Sequence, residues 1–352
     1  MARLCDKIAA FERPELYPMS RTITLQPSNH SFPAADGQTV LAAALEHGYV
    51  LPYSCRNGAC GVCKGKILQG RVDYGQHEPY ALTEAEKAAG LALFCCAQPL
   101  TDLVLESHEV TRAQDIPVKT LPCRVERLTR VVDDVMIVHL RLPANERLQF
   151  LAGQYIEILQ KDDKPRAFSL ANAPHDDALL ELHIRNIAGG AFTHHVFNTM
   201  KERDILRIKG PLGSFFLRED VDKPVVFVAS GTGFAPVKAI IEHAIKIGFK
   251  REMHLYWGVR KVSDLYMLDR IQGWQDQHGI QFTPVVSDEP WHGRTGFVHQ
   301  AVLEDFPDLS GYAVYACGAP VVVEAAHRDF TSLRGLPEDA FYSDAFTFAP
   351  KA

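Results

Sequence analysis

The 352-residue sequence contains no apolar run approaching the roughly 18 to 20 residues that a membrane-spanning helix needs. Its first residues, MARLCDKIAAFERPELYP, carry charges where a secretion signal needs an apolar stretch. Both absences point to the cytoplasm. An excess of positive charge is also lacking: 37 Lys and Arg stand against 43 Asp and Glu, a formal net charge of −6. No global basic field therefore exists to hold nucleic acid or an anionic membrane, while a soluble protein partner is compatible with the charge. No stretch reads as disordered. With 47% hydrophobic and 23% charged residues the chain suits two or three domains, each large enough for its own core. In a reducing compartment its eight cysteines, Cys5, Cys55, Cys60, Cys63, Cys95, Cys96, Cys123 and Cys317, read as ligands, catalytic groups or buried thiols, and no structural disulfide is expected.

What is present begins with SCRNGACGVCKGKI, Ser54 to Ile67. Cys55, Cys60 and Cys63 follow C-x4-C-x2-C, the spacing of a plant-type [2Fe–2S] site whose fourth ligand is distant. A structural zinc loop is the alternative, although zinc more often pairs C-x2-C with C-x2-C. Cys5 precedes this region and Cys123 follows it, which leaves Cys95 or Cys96, in LALFCCAQPLTDLVLE, as the fourth ligand. Gly58, Gly61 and Gly65 can take positive φ and bring backbone N–H groups close to cluster sulfurs. Around the loop, SRTITLQPS alternates as a strand, TVLAAALEHG reads as a helix stopped by Gly48, and DLVLESH closes the unit as a strand. The pattern is a β-grasp from about Ser20 to about Val110; residues 1–18 carry no periodic element and are expected to have no function.

After the unpatterned TRAQDIPVKTLPC, two alternating runs hinge at Asp133 and Asp134, and GQYIEIL and RAFSLAN follow. Short strands separated by turn signals suggest a small antiparallel barrel. In Arg166-Ala167-Phe168-Ser169 a guanidinium suits bidentate contact with phosphate, and a hydroxyl can support a hydride acceptor. Gly189 and Gly190 precede Thr193 at a helix start, an anion-binding arrangement. His194 and His195 lie on that helix and read as solvated or packing histidines rather than metal ligands.

The last third opens with KPVVFVASGTGFAPVKAIIEHAIKIG: an apolar run, a glycine turn and a helical pattern with Pro236 near its first turn. The full G-x-G-x-x-G fingerprint is missing. Strands and helices then alternate, implying a parallel sheet with helices on both faces and ligands beyond the carboxyl ends of its strands. Candidates at those ends are Gly258, Arg260, Ser287 and Cys317-Gly318-Ala319-Pro320. Ser287-Asp288-Glu289 would set two carboxylates against a 2′-phosphate, favouring NADH over NADPH, with Arg294 close enough in sequence to offset them.

Taken in order, these motifs resemble the ferredoxin–NAD(P)⁺ reductase superfamily in its three-module form. LFCCAQP resembles the last ligand region of plant-type ferredoxins, where the cysteine stands four residues before a proline, which selects Cys95, four before Pro99. RAFS resembles the family's R-x-Y-S element, with Phe168 replacing tyrosine. The resemblance implies that Arg166 pairs with FAD pyrophosphate, Phe168 lies on the flavin, Ser169 sits near N5, and Gly190 and Thr193 hold pyrophosphate. GPLGSFFL resembles the turn that leaves the family's flavin domain. Gly231, Thr232, Gly233 and Pro236 match its nicotinamide-domain version of the glycine turn. Cys317 and Gly318 match the C-G-x-P element whose cysteine helps place nicotinamide C4, and Asp344 and Phe346 fall where the family brings an acid and an aromatic near the flavin.

The implied fold is a β-grasp [2Fe–2S] ferredoxin domain at 20–111, behind an extension at 1–19. A linker at 112–119 leads to an antiparallel β-barrel FAD domain at 120–220 and an α/β NAD domain at 221–352. The implied catalytic groups are Ser169, Cys317 and Asp344. The implied function is an oxidoreductase that passes hydride from NADH to FAD and single electrons through the cluster to a partner protein. LAGQYIEI, GTGFAPVK, TGFVHQAVLEDFPDLS, VYACG and FYSDAF most resemble the CDP-6-deoxy-Δ3,4-glucoseen reductase family, whose acceptor is a pyridoxamine-phosphate dehydratase of 3,6-dideoxysugar synthesis. The reductase component of a multicomponent oxygenase is the alternative acceptor system. A non-enzymatic redox-sensing or metal-binding module is the alternative of another class.

Overall fold

The computed structural model describes residues 20–107, 111–112, 116–160 and 165–347. The expected extension at 1–19 lies outside them. In Arg21–Gln26, Ile23 and Leu25 are fully buried while the threonines between and before them face away, the period of a half-buried strand. That strand sits second in a five-stranded sheet ordered Ser31–Ala34, Arg21–Gln26, Leu103–Glu106, Lys64–Gln69, Leu91–Leu93, and its pairing with Leu103–Glu106 is parallel. The helix Val40–Glu46 begins where Thr39 Oγ1 accepts the Ala42 N–H at 3.2 Å and buries Val40, Leu41, Ala43 and Ala44 against the sheet. Thr111–Arg112 folds back to pair with Tyr49–Val50, so Arg112, assigned above to the linker, belongs to a strand.

The middle unit is a six-stranded antiparallel sheet ordered Arg166–Ser169, Tyr155–Ile158, Ile205–Leu212, Lys119–Val132, Val135–Arg141, Leu180–Arg185. A single bridge between Leu170 and Leu182 brings its two edges together into a nearly closed barrel. The turn at Asp133–Asp134 joins Lys119–Val132 to Val135–Arg141, as expected.

The last unit is a six-stranded parallel sheet ordered Arg294–Thr295, Gln281–Val286, Met253–Val259, Val225–Ser230, Ala313–Gly318, Phe341–Ala345. Helices Phe234–Ile247 and Leu268–His278 cover one face, Val298–Asp305 and Pro320–Arg334 the other. FYSDA, Phe341–Ala345, forms the edge strand, in register with the strand ending at Gly318, so Asp344 stands opposite Cys317. The units share cores: Ala152, Phe215 and Leu217 join the cluster around Phe227 and Trp257, while Cys60, Cys55 and Val62 pack against the opposite face of the parallel sheet. Among the described residues no helix is long and apolar enough to cross a membrane.

Candidate redox site at the junction of the three units

The cysteine loop is bent by Gly58 (φ +78°) and Gly61 (φ +75°), a region that disfavours a side chain. At Gly58 a Cβ would also lie 2.8 Å from Cys96 Sγ and 2.9 Å from the His77 backbone. Gly65 behaves otherwise than expected. It lies in the strand Lys64–Gln69 without positive φ, and its missing side chain admits the Phe94 ring, 2.3 Å from where a Cβ would stand.

Among the four sulfurs Cys55 is a neighbour of Cys60, and Cys63 of Cys95, close enough for each to shift the other's ionisation. The Cys60 thiol lowers the Cys55 value, and the Cys63 and Cys96 thiols lower that of Cys95. The Cys60 N–H also donates to Cys55 Sγ at 3.3 Å. A two-iron cluster needs two thiolates at each iron. The donor set fits the cluster, and the thiol protons would leave as the metal binds.

In the barrel, Arg166 opens the strand that ends at Ser169, which is buried, and the Phe168 ring lies 5.5 Å from that of Phe192. Gly190 caps the helix Ala191–Asn198. Thr193 Oγ1 accepts the Ile187 N–H at 3.1 Å and donates to Gly190 O at 3.1 Å, so it closes the turn and leaves the first-turn amides of the helix to meet an anion. This set of one cation, one aromatic ring, one hydroxyl and one helix start fits a flavin dinucleotide. His194 and His195 sit on the solvent side of that helix.

In the parallel sheet, two strand-end turns interlock. A Cβ at Gly233 would fall 2.2 Å from Cys317 O, and one at Gly318 2.3 Å from Ser230 Oγ, while the Ala319 N–H donates to Ser230 Oγ at 2.9 Å. Thr232 is buried between them, the Trp257 indole donates to Gly231 O at 2.9 Å, and Pro236 lies in the first turn of Phe234–Ile247. Gly258 makes room for Val298, 2.8 Å from its would-be Cβ. Arg260 Nη2 is 2.9 Å from Asp134 Oδ2 of the barrel hairpin, which Arg185 Nε also approaches at 3.3 Å. Ser287 Oγ donates to Asp288 Oδ1 at 2.5 Å, and Glu289 accepts the Val262 N–H at 2.7 Å, placing both carboxylates at this strand end. Arg294 is turned away to Asp305 at 2.7 Å and Glu304 at 3.4 Å, so it does not offset them.

All three units meet at Asp344. Ser54, next to the first cysteine, donates to Asp344 Oδ1, and Ser169 of the barrel donates to Oδ2 at 3.5 Å. Burial raises the carboxyl to about 6 in spite of the two hydroxyl donors, and burial with the neighbouring Asp344 pushes the Cys317 thiol well up. Phe346 follows, its N–H on Gly318 O at 2.8 Å. Sequence reasoning missed the residues that fasten the cysteine loop here. Tyr53 N–H donates to Ser214 Oγ at 2.9 Å, Tyr53 OH accepts the Gly213 N–H at 2.9 Å, and Tyr155 OH donates to Ser54 O at 2.9 Å. No spacing rule announces such contacts, which span 101 to 161 residues.

Missed too is a buried charge network beside Ser169. Lys238 Nζ donates to Ala171 O at 2.9 Å and lies 3.2 Å from Glu181 and 3.1 Å from Glu242. Burial opposes ionisation of Glu181, yet bonds from His139 and His183 and the Lys238 charge hold it well below the usual carboxylate range. Burial lowers His183, which is therefore neutral at pH 7, donating through Nε2 to Glu181 and accepting from Tyr266 OH at Nδ1.

Three family models match the chain: a 2Fe-2S iron-sulfur cluster binding domain over residues 23–100, an oxidoreductase FAD-binding domain over 122–217 and an oxidoreductase NAD-binding domain over 227–328. The chain is 42% identical over 331 residues to the CDP-6-deoxy-L-threo-D-glycero-4-hexulose-3-dehydrase reductase of Yersinia pseudotuberculosis, covering 93% of this chain and 99% of that protein. It is 34% identical to reductase component 2 of the terephthalate 1,2-dioxygenase of a Comamonas species, covering 94% and 99%. Among solved structures, the Amycolatopsis cytochrome P450 reductase GcoB superposes with a TM-score of 0.74 at 36% identity, covering 93% of this chain and 98% of that one.

Proposed function

The chain belongs to the iron–sulfur flavoprotein reductases that join a 2Fe-2S domain, an FAD domain and an NAD domain, and from that premise we propose which residues carry its electron path and which acceptor it serves. When bound, NADH supplies two electrons as hydride, FAD takes them as a pair and releases them singly, and the cluster carries one at a time. Cys55, Cys60, Cys63 and Cys95 hold the cluster. Arg166, Gly190 and Thr193 shape the pyrophosphate site, and Phe168 and Ser169 face the flavin ring. Gly231, Thr232, Gly233, Pro236, Gly258, Arg260, Ser287 and Gly318 build the NADH site, with Cys317, Asp344 and Phe346 at its inner end. The domains run 20–112, 119–220 and 221–352.

One observation carries this reading: Asp344 of the NAD unit takes hydrogen bonds from Ser169 on the flavin strand and from Ser54 beside the first cluster ligand. The three units thus meet at one buried carboxylate, which supports an electron path that stays within the chain. The acceptor is a separate protein in the cytoplasm, most like the pyridoxamine-phosphate dehydratase served by the dideoxysugar reductases, because the 42% identity over almost the whole chain exceeds that to the dioxygenase component.

The test is an anaerobic NADH titration with iron, sulfide and flavin measured in the same sample. Bleaching of both flavin and cluster supports the path; a flavin that bleaches beside a cluster that does not breaks it at its last internal step. Cys95→Ser should lose iron and leave flavin bleaching by NADH, and a Cys95→Ser protein that keeps its cluster overturns the ligand assignment. Turnover with a sugar dehydratase, set against turnover with a dioxygenase component, decides the acceptor.

A further inference from the structure

Cys96 has no place in the electron path, yet its surroundings hold it firmly. Its Sγ lies 3.5 Å from Cys95 Sγ. Two glycines from separate loops make room for it. A Cβ at Gly58 would stand 2.8 Å from Cys96 Sγ, and one at Gly75 would stand 2.6 Å from Cys96 O and 3.4 Å from Cys96 Cβ. Its N–H is fixed on Leu93 O at 2.9 Å, and the residue is 9% exposed. Gly58 thus leaves room for the sulfur itself, while Gly75 accommodates the backbone that carries it.

We propose that Cys96 tunes the iron–sulfur centre by donating its S–H to the Cys95 sulfur, which raises the centre's reduction potential. The inference rests on Cys95 being the fourth ligand. A metal-bound thiolate can only accept, so the proton between the two sulfurs belongs to Cys96. A second thiolate at that distance would also set two like charges side by side. Reduction adds one negative charge to the cluster and its ligands. A donor aimed at a ligand sulfur therefore stabilises the reduced form more than the oxidised one. Plant-type centres sit at low potential, and an upward shift makes the centre easier to reduce from a flavin charged by NADH. Cys96 is a positioning and tuning residue in this account, without contact to any substrate.

The experiment is a potentiometric titration of the full-length holoprotein, read by the electron paramagnetic resonance of the reduced cluster, with iron and sulfide measured for each variant. Cys96→Ala should keep its iron and shift the one-electron equilibrium about tenfold toward the oxidised form, which is 59 mV to lower potential. Cys96→Ser keeps a donor and should recover most of that shift. Electron–nuclear double resonance should detect an exchangeable proton near the wild-type cluster that is replaced in D2O and missing from Cys96→Ala. An unchanged potential in Cys96→Ala overturns the proposal. So do equal shifts in the Ala and Ser variants, which would make the effect one of shape or water access. Loss of iron from Cys96→Ala with retention in Cys95→Ser would make Cys96 the ligand instead. Wild-type protein without iron or sulfide would fail the cluster reading itself, an outcome separate from the others.

Discussion

Asp344 is a carboxylate in a place that water does not reach, and its titration should be visible in stability. Its folded value is about 6 against roughly 3.9 unfolded, so ionising it in the folded protein costs about 3 kcal/mol more than in the unfolded chain. The sign follows from a raised acid: its contribution is fully present below about pH 4 and is lost as pH climbs through about 6. Asp344→Asn keeps acceptor and donor atoms toward Ser54 and Ser169 without the charge. Relative to wild type it should therefore gain stability steadily between about pH 4 and about pH 7, then hold level. Melting curves of both proteins across that range check this, and a constant difference would mean that the carboxylate is hydrated. Opposite it in register, Cys317 is a thiol kept neutral by burial. Cys317→Ala should retain FAD and slow flavin bleaching by NADH in rapid mixing, and an unaltered rate would reduce Cys317 to packing.

At the scale of elements, most strands were legible because their burial is one-sided or complete, as in Arg21–Gln26 and Val225–Ser230. The edge strand Phe341–Ala345 was legible only as a motif, because Ser343 and Asp344 interrupt any apolar pattern and its pairing is set by a distant strand. Lys238 shows the same limit. In APVKAII it reads as a stray charge on an apolar helix, and only the fold brings Glu181, Glu242 and Ala171 O around it. The helix Phe234–Ile247 is thereby tied to the strand that follows Ser169, so its glycine turn and the flavin strand are held at one spacing. Lys238→Met removes the cation and leaves Glu181 with histidine donors alone. Breaking such a buried pair costs about 3 kcal/mol, so the melting point should fall, and flavin bleaching by NADH should slow while iron content is unchanged. A variant as stable and as fast as wild type would show that the pair is not needed for the spacing.

For the whole molecule, the consequence is that the cysteine loop is part of the flavin barrel's own structure. Tyr53 and Ser54 are bonded to Gly213, Ser214, Tyr155 and Asp344; of these Asp344 was singled out in the sequence, whereas Ser214 and Tyr155 act through side chains that sequence spacing left unremarked. The electron's step from flavin to cluster should therefore take place across a fixed gap, without a swinging domain. Each bond contributes about 1 kcal/mol, so losing one leaves the docked arrangement dominant. Ser54→Ala alone should change little beyond stability. Joined to Tyr53→Phe, which strands the Gly213 N–H without its acceptor, it should open the junction, since neighbouring losses at one interface compound. Rapid mixing with NADH separates the two halves of the path. In the double variant, cluster reduction should lag flavin bleaching far more than in either single variant, with iron, sulfide and flavin still at full content. If the cluster keeps pace with the flavin in a fully loaded double variant, the clasp is not what sets the gap, and the core contacts of Cys55, Cys60 and Val62 with the parallel sheet must hold the loop on their own.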